Sequence, residues 1–236
     1  MKLTVLGKYG PYAPPGGATS GYLMENGGEY MLLDMGSGVL ARLQEFIQPS
    51  QLKGIIVSHV HYDHINDLFL YKYMLEGLNK QGKLERPVPV AGPAALWEKI
   101  NSPVFEFVPI DACPEINLAG MKISFALMKH PVASYAMRLK GEGDMVYSGD
   151  CNSFGALADF ALGCGQMLCD IGTPRRLWTP DSPHMHAAQA AQAARSAGAS
   201  LIMTHFMPGM AQAELLEETQ EFCGAVCAEE YSCYEL

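Results

Sequence analysis

The chain of 236 residues has no apolar run that approaches the roughly 18 to 20 residues of a membrane-spanning helix. Its first residues, Met-Lys-Leu-Thr-Val-Leu-Gly, are apolar over too short a stretch for a secretion signal and lead directly into a segment rich in glycine and proline. We therefore expect neither a membrane anchor nor export, and the expected location is cytoplasmic.

The sequence also lacks any Cys-x-x-Cys pair. Its seven cysteines are an odd number, which favours reduced thiols over a disulfide framework. Charged residues make up only 17% of the chain and hydrophobic residues 49%. This composition excludes a disordered chain and allows one large core, so we expect a single domain over residues 1–236.

Lysine and arginine are few. Sixteen basic residues stand against 25 acidic ones, which gives a net charge of −9, and seven of the acids lie after Ala211, where no basic residue occurs. Binding of a duplex or of a full tRNA draws on phosphate neutralisation by basic side chains. The basic residues form no obvious cluster in the sequence, so we expect only weak electrostatic attraction to such a partner.

Apolar spacing predicts strands and helices along the whole chain. The predicted strands cover 3–5, 21–24, 30–34, 55–57, 88–91, 104–108, 120–127, 134–139, 144–147, 166–169 and 201–204, and the predicted helices cover 39–47, 64–82 with Asp63 as N-cap, 93–101, 154–162, 187–197 and 212–227. This order predicts a layered α/β domain, which some schemes call α+β. The last, acidic helix is expected to dock on the core, with a homodimer as the alternative.

The densest group of polar side chains is Ser58-His59-Val60-His61-Tyr62-Asp63-His64, directly after the buried strand at 55–57. Side chains alternate in direction as the chain leaves a strand, so His59 and His61 point to one side, while Asp63 and His64 turn with the following helix. Imidazole and carboxylate suit zinc and other first-row ions, and an open catalytic site takes about three protein ligands per ion. One segment can therefore contribute to two adjacent metal ions.

Two ions need more ligands than this segment holds. His130, Asp150 and His205 each lie at the end of a predicted strand. Strand ends on one edge of a sheet form a shared rim, where α/β folds commonly assemble their sites. These three side chains can therefore converge on the first group.

The order His-x-His-x-Asp-His at 59–64, then a lone His130, Ser148-Gly149-Asp150 and Thr204-His205-Phe206 resembles the metallo-β-lactamase superfamily over essentially the whole chain. The opening loop and Pro183-His184-Met185-His186 resemble the ribonuclease Z and phosphodiesterase branch most closely. This resemblance implies a four-layer αβ/βα sandwich.

The resemblance also implies a dinuclear metal centre. One ion would be held by His59, His61 and His130, the other by Asp63, His64 and His205, and Asp150 would bridge them. The implied ions are two divalent cations, with Zn²⁺ favoured and manganese or iron accepting the same ligands. Such a centre is net positive and favours an anionic substrate.

In that branch an acid and a histidine form a proton-transfer pair, and the matching positions are Asp170 and His184. The branch usually has Glu at the first position, so Asp170 is a shorter substitute, and His186 is an alternative to His184. The implied reaction is attack by a metal-bridging hydroxide on a phosphodiester, with Asp63 at the centre and His184, oriented by Asp170, protonating the leaving oxygen.

Only 20 positions separate His130 from Asp150, where ribonuclease Z enzymes insert a long tRNA-gripping arm. This spacing favours a small anionic molecule or a short nucleic acid as substrate over a full tRNA. Two other functions stay open. One is hydrolysis of a thioester or lactone, which needs the same hydroxide in less cationic surroundings. The other is an inactive RNA-binding partner of an RNA enzyme.

Two loops offer contacts to a substrate. Arg175 and Arg176 follow Thr173-Pro174, and guanidinium groups there can grip phosphate oxygens. The segment Lys8-Tyr9-Gly10-Pro11-Tyr12 offers a cation and two rings to line a substrate mouth. For both loops the alternative is an ordinary solvated surface.

Overall fold

Fourteen strands form two mixed sheets in the computed structural model, which describes residues 1–236. The strands are β1 (Lys2–Gly7), β2 (Gly21–Asn26), β3 (Glu29–Leu33), β4 (Leu52–Ile56), β5 (Val88–Gly92), β6 (Phe105–Pro109), β7 (Glu115–Leu118), β8 (Met121–Met128), β9 (Ser134–Lys140), β10 (Asp144–Tyr147), β11 (Gln166–Asp170), β12 (Ser200–Thr204), β13 (Ala225–Cys227) and β14 (Cys233–Glu235). The first sheet has the order β14-β1-β2-β3-β4-β5-β6 and the second β13-β12-β11-β10-β9-β8-β7.

Inner strands of the first sheet are buried on both faces, because alternate side chains enter two different cores. In β1, Leu3 and Val5 belong to the core that includes the space between the sheets, whereas Leu6 belongs to a second core on the helix side. In β4, Ile56 and Ile55 divide in the same way. This two-sided burial explains why 55–57 is a continuous apolar run and not an alternating one.

Six helices cover the outer faces of the sheets. They are α1 (Val39–Leu43), α2 (Tyr62–Lys80), α3 (Ala94–Ile100), α4 (Phe154–Ala161), α5 (Ala187–Ala197) and α6 (Gln212–Thr219). Helices α1 to α3 share the second core with the first sheet, and α4 to α6 pack on the second sheet. The layers run helix, sheet, sheet, helix, which confirms the expected αβ/βα sandwich. No helix combines the length and apolar character that crossing a membrane requires.

The carboxyl ends of several strands meet at one edge of the sandwich. Strands β10, β11 and β12 pair in parallel, so they end on the same side. Strand β8 runs antiparallel to β9, which runs antiparallel to β10, and therefore β8 ends there as well. The predicted site residues after β4, β8, β10 and β12 follow such ends, as the rim argument expects.

Three helix predictions differ from the structure. The helix predicted over 39–47 ends at Leu43, and residues 44–46 form a turn in which Phe46 is exposed and not part of a buried face. Helix α2 begins at Tyr62 with His61 as its N-cap, so Asp63 lies in the first turn and is not the cap. The helix predicted over 212–227 ends at Thr219, and Ala225–Cys227 instead form a strand that pairs in parallel with β12. Gly224 lies between the helix and the strand. Because residues 225–227 are not helical, their backbone N–H and C=O groups find hydrogen-bond partners in β12 instead. Strands β7 and β14 were not predicted.

Candidate metal centre

Three histidine rings converge after β4 and β8. His59 Nε2 lies 3.0 Å from His61 Nδ1, and His130 Nε2 lies 3.2 Å from the same His61 atom. Asp150 approaches this group with Oδ2 3.6 Å from His59 Nε2. The four potential ligand atoms all lie within 4.8 Å of one another. We call this group the first cluster.

A second cluster adjoins the first and shares Asp150 with it. His205 Nε2 lies 3.2 Å from Asp63 Oδ2, 3.2 Å from Asp150 Oδ2 and 3.3 Å from His64 Nε2. His64 Nε2 is in turn 3.3 Å from Asp150 Oδ1. The structure thus brings all seven predicted metal ligands together, in the grouping that the resemblance implied, with Asp150 between the two groups.

Outer hydrogen bonds fix which ring nitrogens carry a proton. His130 Nδ1 donates to Pro183 O at 3.1 Å, and His64 Nδ1 donates to Asp34 Oδ2 at 2.8 Å. His59 Nδ1 donates to Ser58 Oγ at 3.0 Å, since that hydroxyl gives its own proton to Asp34. A neutral imidazole has only one N–H, so in their neutral forms His59 and His130 present lone pairs to the first cluster and His64 presents one to the second.

Such an arrangement fits a cation. Several lone pairs about 3 Å apart repel one another unless a positive charge lies between them. In addition, Asp150 Oδ1 is buried without a hydrogen-bond partner, and buried polar atoms rarely stay unsatisfied in native proteins. The donor set of imidazole and carboxylate matches zinc and neighbouring first-row ions.

The electrostatics of the two clusters differ. Burial lowers the pKa of His59 well below its ordinary value, so this ring is neutral at physiological pH, as a metal ligand must be. Burial alone would raise the pKa of Asp150, but His205, His64 and His59 hold it well below the ordinary value. Although burial opposes its charge, Asp150 and Asp170 raise the pKa of His205 to about 10. The second cluster is therefore strongly anionic once its histidines are neutral, which favours a divalent cation.

Asp170 and His184 form a close pair beside the clusters. His184 Nδ1 donates to Asp170 Oδ2 at 2.7 Å and lies 3.7 Å from Asp150 Oδ2. Two backbone N–H groups, of Cys151 and Gly172, also donate to the Asp170 carboxylate. Burial works against charge on both partners, yet Asp170 raises the pKa of His184, and His184 lowers the pKa of Asp170. The Asp170 carboxylate therefore favours the protonated form of the His184 ring.

His186 is placed elsewhere. Its ring packs edge-on against Trp178 with centroids 5.4 Å apart, and its Nδ1 lies 3.7 Å from Glu218 Oε2. Burial, aided by Arg175, lowers the pKa of His186 to about 4. Of the two alternatives that the sequence left open, His184 is therefore the one that the structure brings to the clusters.

The domain family described as "Beta-lactamase superfamily domain" matches residues 30–206, which is most of the chain. The chain belongs to the beta-lactamase superfamily. It is 28% identical over 211 residues to the probable metallo-hydrolase YhfI of Bacillus subtilis strain 168, covering 87% of this chain and 86% of YhfI. The crystal structure of YhfI, a metallo-beta-lactamase fold protein, has a TM-score of 0.93 at 26% identity over 99% of this chain and 98% of that one.

Two further relatives in the superfamily widen the comparison. Ribonuclease Z of Mycolicibacterium paratuberculosis is 25% identical over 247 residues, which are 89% of this chain and 87% of that enzyme. The crystal structure of a diphosphatase of the PhnP family has a TM-score of 0.74 at 18% identity over 100% of this chain and 97% of that one, which shows a shared fold. The chain is thus a metallo-hydrolase of the beta-lactamase superfamily, whose members bind divalent metal. The His/Asp clusters are its candidate sites.

Sequence reasoning missed Asp34, which supports the second cluster of this superfamily member. The residue follows β3, is fully buried and has a left-handed φ of 56°. Its Oδ2 accepts hydrogen bonds from His64 Nδ1 at 2.8 Å, Ser58 Oγ at 2.8 Å and Tyr147 OH at 2.6 Å, and its Oδ1 accepts from Ser58 N at 2.7 Å. An acid at a strand end was the available signal, the same one that identified Asp150.

In one of the two predicted substrate-contact loops, the free cation at Lys8 is contradicted, while the Tyr12 ring is exposed as predicted. Lys8 is 4% exposed and its ammonium group is 2.7 Å from Glu229 Oε2, so it does not offer a free cation to a substrate. Arg175 and Arg176 are exposed and line a recess of about 280 Å³, together with Glu214 and Glu218. Met207 to Ala211, which follow His205 in the chain, form another part of its wall.

Proposed function

We propose that the chain is a phosphodiesterase whose two clusters hold two divalent ions. Zn²⁺ is favoured by the imidazole and carboxylate ligands, and manganese or iron are the alternatives. In this proposal the first cluster contributes His59, His61 and His130, and the second contributes Asp63, His64 and His205. Asp150, which belongs to both clusters, would contribute to holding both ions.

The observation that carries the proposal is the Asp170–His184 pair next to the shared Asp150. A phosphodiester releases an alkoxide, which needs a proton as it leaves. His184 is 2.7 Å from a carboxylate that stabilises its charged form, and it lies 3.7 Å from Asp150. A proton donor is thus held within reach of the point where both clusters meet.

The division of labour follows from these positions. Divalent ions held by the two clusters would make a water nucleophile available at neutral pH and would offer positive charge to the reacting oxygens. His184 delivers the proton to the leaving oxygen, and Asp170 keeps Nδ1 protonated so that the ring can donate through its other nitrogen. Burial opposes the charge of Asp63, but His205 and His64 lower its pKa. The carboxylate therefore stays ionised and offers a negative charge to a cation in the second cluster.

The surroundings of the clusters favour a small or short substrate. Between His130 and Asp150 the chain contains only β9, β10 and their connections, so no arm for a large RNA projects from this region. The recess lined partly by residues 207–211, which follow His205 in the chain, is about 280 Å³ and carries two arginines beside two glutamates. An anionic small molecule or a short nucleic acid matches this space better than a full tRNA. The ribonuclease Z and diphosphatase relatives are consistent with phosphate ester chemistry.

The test compares two phosphodiesters and a thioester on metal-loaded protein. One phosphodiester has a nitrophenol leaving group and the other an alkyl alcohol. We expect hydrolysis of both phosphodiesters by protein loaded with zinc, manganese or iron. With the alkyl substrate, His184→Ala should lower kcat by about 10²- to 10⁴-fold. The loss should be much smaller with nitrophenol, which departs without a proton.

His186→Ala is the matched control, because it lies two residues from His184 but not against the clusters. Its kcat should stay near that of the unchanged protein with both substrates. A preference for the thioester, or an equal loss in His184→Ala for both leaving groups, would contradict the proposal. Tight RNA binding without any hydrolysis would favour an inactive binding partner.

A further inference from the structure

His205 has an unfavourable backbone conformation that neighbouring residues must hold in place. Its φ of 61° lies in the left-handed region, which side chains other than glycine rarely adopt. Hydrogen bonds to the residue that follows fix the chain there. Phe206 N donates to Lys8 O at 2.9 Å, and Gly10 N donates to Phe206 O at 3.1 Å. The segment Lys8–Gly10 therefore holds the backbone of His205 next to the second cluster.

The same segment also backs the imidazole ring of His205. A side chain at Gly10 would collide with that ring, so the glycine backbone lies directly against it. Movement of the segment would free both the backbone and the ring of His205. The position of one ligand of the second cluster thus depends on what holds Lys8–Gly10.

The first tether of this segment is Glu229, in the turn between β13 and β14. Lys8 Nζ lies 2.7 Å from Glu229 Oε2, with the Lys8 side chain 5% exposed and Glu229 53% exposed. The ammonium group also lies 5.5 Å from the Tyr9 ring and 5.6 Å from the Phe206 ring. Because the cation is buried, it needs a fixed anionic partner.

Glu230 forms the second tether. It holds the far end of the loop that runs from Lys8 to Ser20 between β1 and β2. Its Oε1 accepts a hydrogen bond from Ala18 N at 2.8 Å and lies 2.5 Å from Arg42 Nη1. Arg42 is itself buried and donates to the backbone oxygens of Leu6, near the end of β1, and of Gly16, within the loop. Two consecutive glutamates of the acidic C-terminal segment thus hold both ends of the loop over His205.

We propose that Glu229 and Glu230 are positioning residues for His205, acting through Lys8, Arg42 and the loop between them. The inference rests on the proposed function only in that His205 is a metal ligand of the second cluster. It assigns to the acidic C-terminal segment a direct part in shaping the metal centre. The consequence is selective, because His59, His61 and His130 have no contact with this loop among their hydrogen bonds.

The experiment is a metal titration of metal-stripped protein against a competing chelator, which resolves the affinities of two ions. Lys8→Met removes the first tether, and Glu229→Gln removes its anionic charge while keeping an oxygen that can accept a hydrogen bond. We expect each variant to lower the affinity for one ion by about 10- to 100-fold and to leave the affinity for the other ion unchanged. Amide hydrogen exchange should speed up at residues 8–19 and 205–206 and stay constant in the inner core.

Two features keep the outcome decisive. Glu229→Gln leaves the buried Lys8 cation without a charged partner, so it is the variant at risk of not folding. Lys8→Met leaves the half-exposed Glu229 with its hydrogen bond from Gln212 and is expected to fold. Glu235→Gln is the matched control: this acid is 77% exposed in the same C-terminal segment, and its removal should change neither ion.

Equal weakening of both ions, or unchanged affinities in Lys8→Met, would overturn the inference. A wild-type protein that binds no metal would overturn it as well. If the titration shows the selective loss while no phosphodiester is hydrolysed by any form of the protein, the positioning role stands and the proposed activity fails.

Discussion

Replacement of Asp34 by asparagine should separate support of the metal centre from ordinary burial of an acid. The carboxylate accepts four hydrogen bonds, from His64, Tyr147 and twice from Ser58. An asparagine has one oxygen and one NH₂ group in their place. If the amide oxygen takes the place of Oδ2 and accepts from its three donors, the NH₂ group faces the Ser58 N–H, and neither of these two donors has an acceptor. The opposite orientation leaves three donors without an acceptor.

The magnitude follows from the better of these orientations. One or two buried groups lose their partner, at about 1–3 kcal/mol each, and three remaining bonds lose a charged acceptor, at up to about 1 kcal/mol each. We expect Asp34→Asn to lower the free energy of unfolding of metal-free protein by about 3–6 kcal/mol. This is a large part of the total of about 5–15 kcal/mol that is typical of folded proteins. Metal affinity should fall by about 10- to 100-fold, because His64 loses its orienting partner.

The assay is urea unfolding of metal-free protein, followed by titration with zinc. Asp67→Asn is the matched control, since Asp67 is also buried but accepts from Leu40 N at 2.8 Å and lies outside both clusters. An asparagine can keep that bond, so the cost should be about 1 kcal/mol or less. The reasoning is refuted if both variants lose the same stability, or if Asp34→Asn binds zinc as tightly as the unchanged protein.

Three further predictions concern the surroundings of the site. The pKa of His186, lowered by burial and Arg175 to about 4, lies below its unfolded value, so the unfolded state takes up the proton first as pH falls from about 6.5 to 4. Urea unfolding of metal-free protein over this range should show a loss about 1–2 kcal/mol smaller in His186→Gln, a figure discounted for partial solvent screening; an equal loss would contradict it. Arg175→Ala should raise KM for an anionic phosphodiester while kcat changes little, and an unchanged KM would remove the arginine from substrate binding. Gly10→Ala places a methyl group against the His205 ring and should cost about 1–3 kcal/mol in urea unfolding, together with weaker binding of one metal ion; unaltered binding would show that the loop yields.

Local pattern was sufficient for most of the sandwich. The continuous apolar run at 55–57 predicted a strand buried on both faces, and β4 has this property because its two faces enter different cores. Asn26-Gly27-Gly28 predicted a hairpin turn between β2 and β3, where both glycines have positive φ. These features depend on neighbours in the chain, and therefore on information that a single window of sequence contains.

The C-terminal segment shows where such reasoning fails. Apolar spacing over 212–227 favoured one helix, but residues 225–227 pair with β12 and the acids at 229 and 230 bind buried cations far away in sequence. Nothing within the window indicates these partners. A run of acids without basic residues reads as a solvated surface until the fold brings Lys8 and Arg42 to it.

The sequence alone determined the candidate ligand types, their order and the strand ends that carry them, because coordination chemistry selects histidine and aspartate and the periodicity of the chain marks where strands stop. Only the tertiary structure decided that His184 and not His186 meets Asp170, that Asp34 orients His64, and that the acidic tail holds the loop behind His205. Each of these contacts either joins residues that are distant in sequence or, for His184 and His186, depends on a choice between two residues only two positions apart. Their selection depends on packing of the two sheets, which no local pattern encodes.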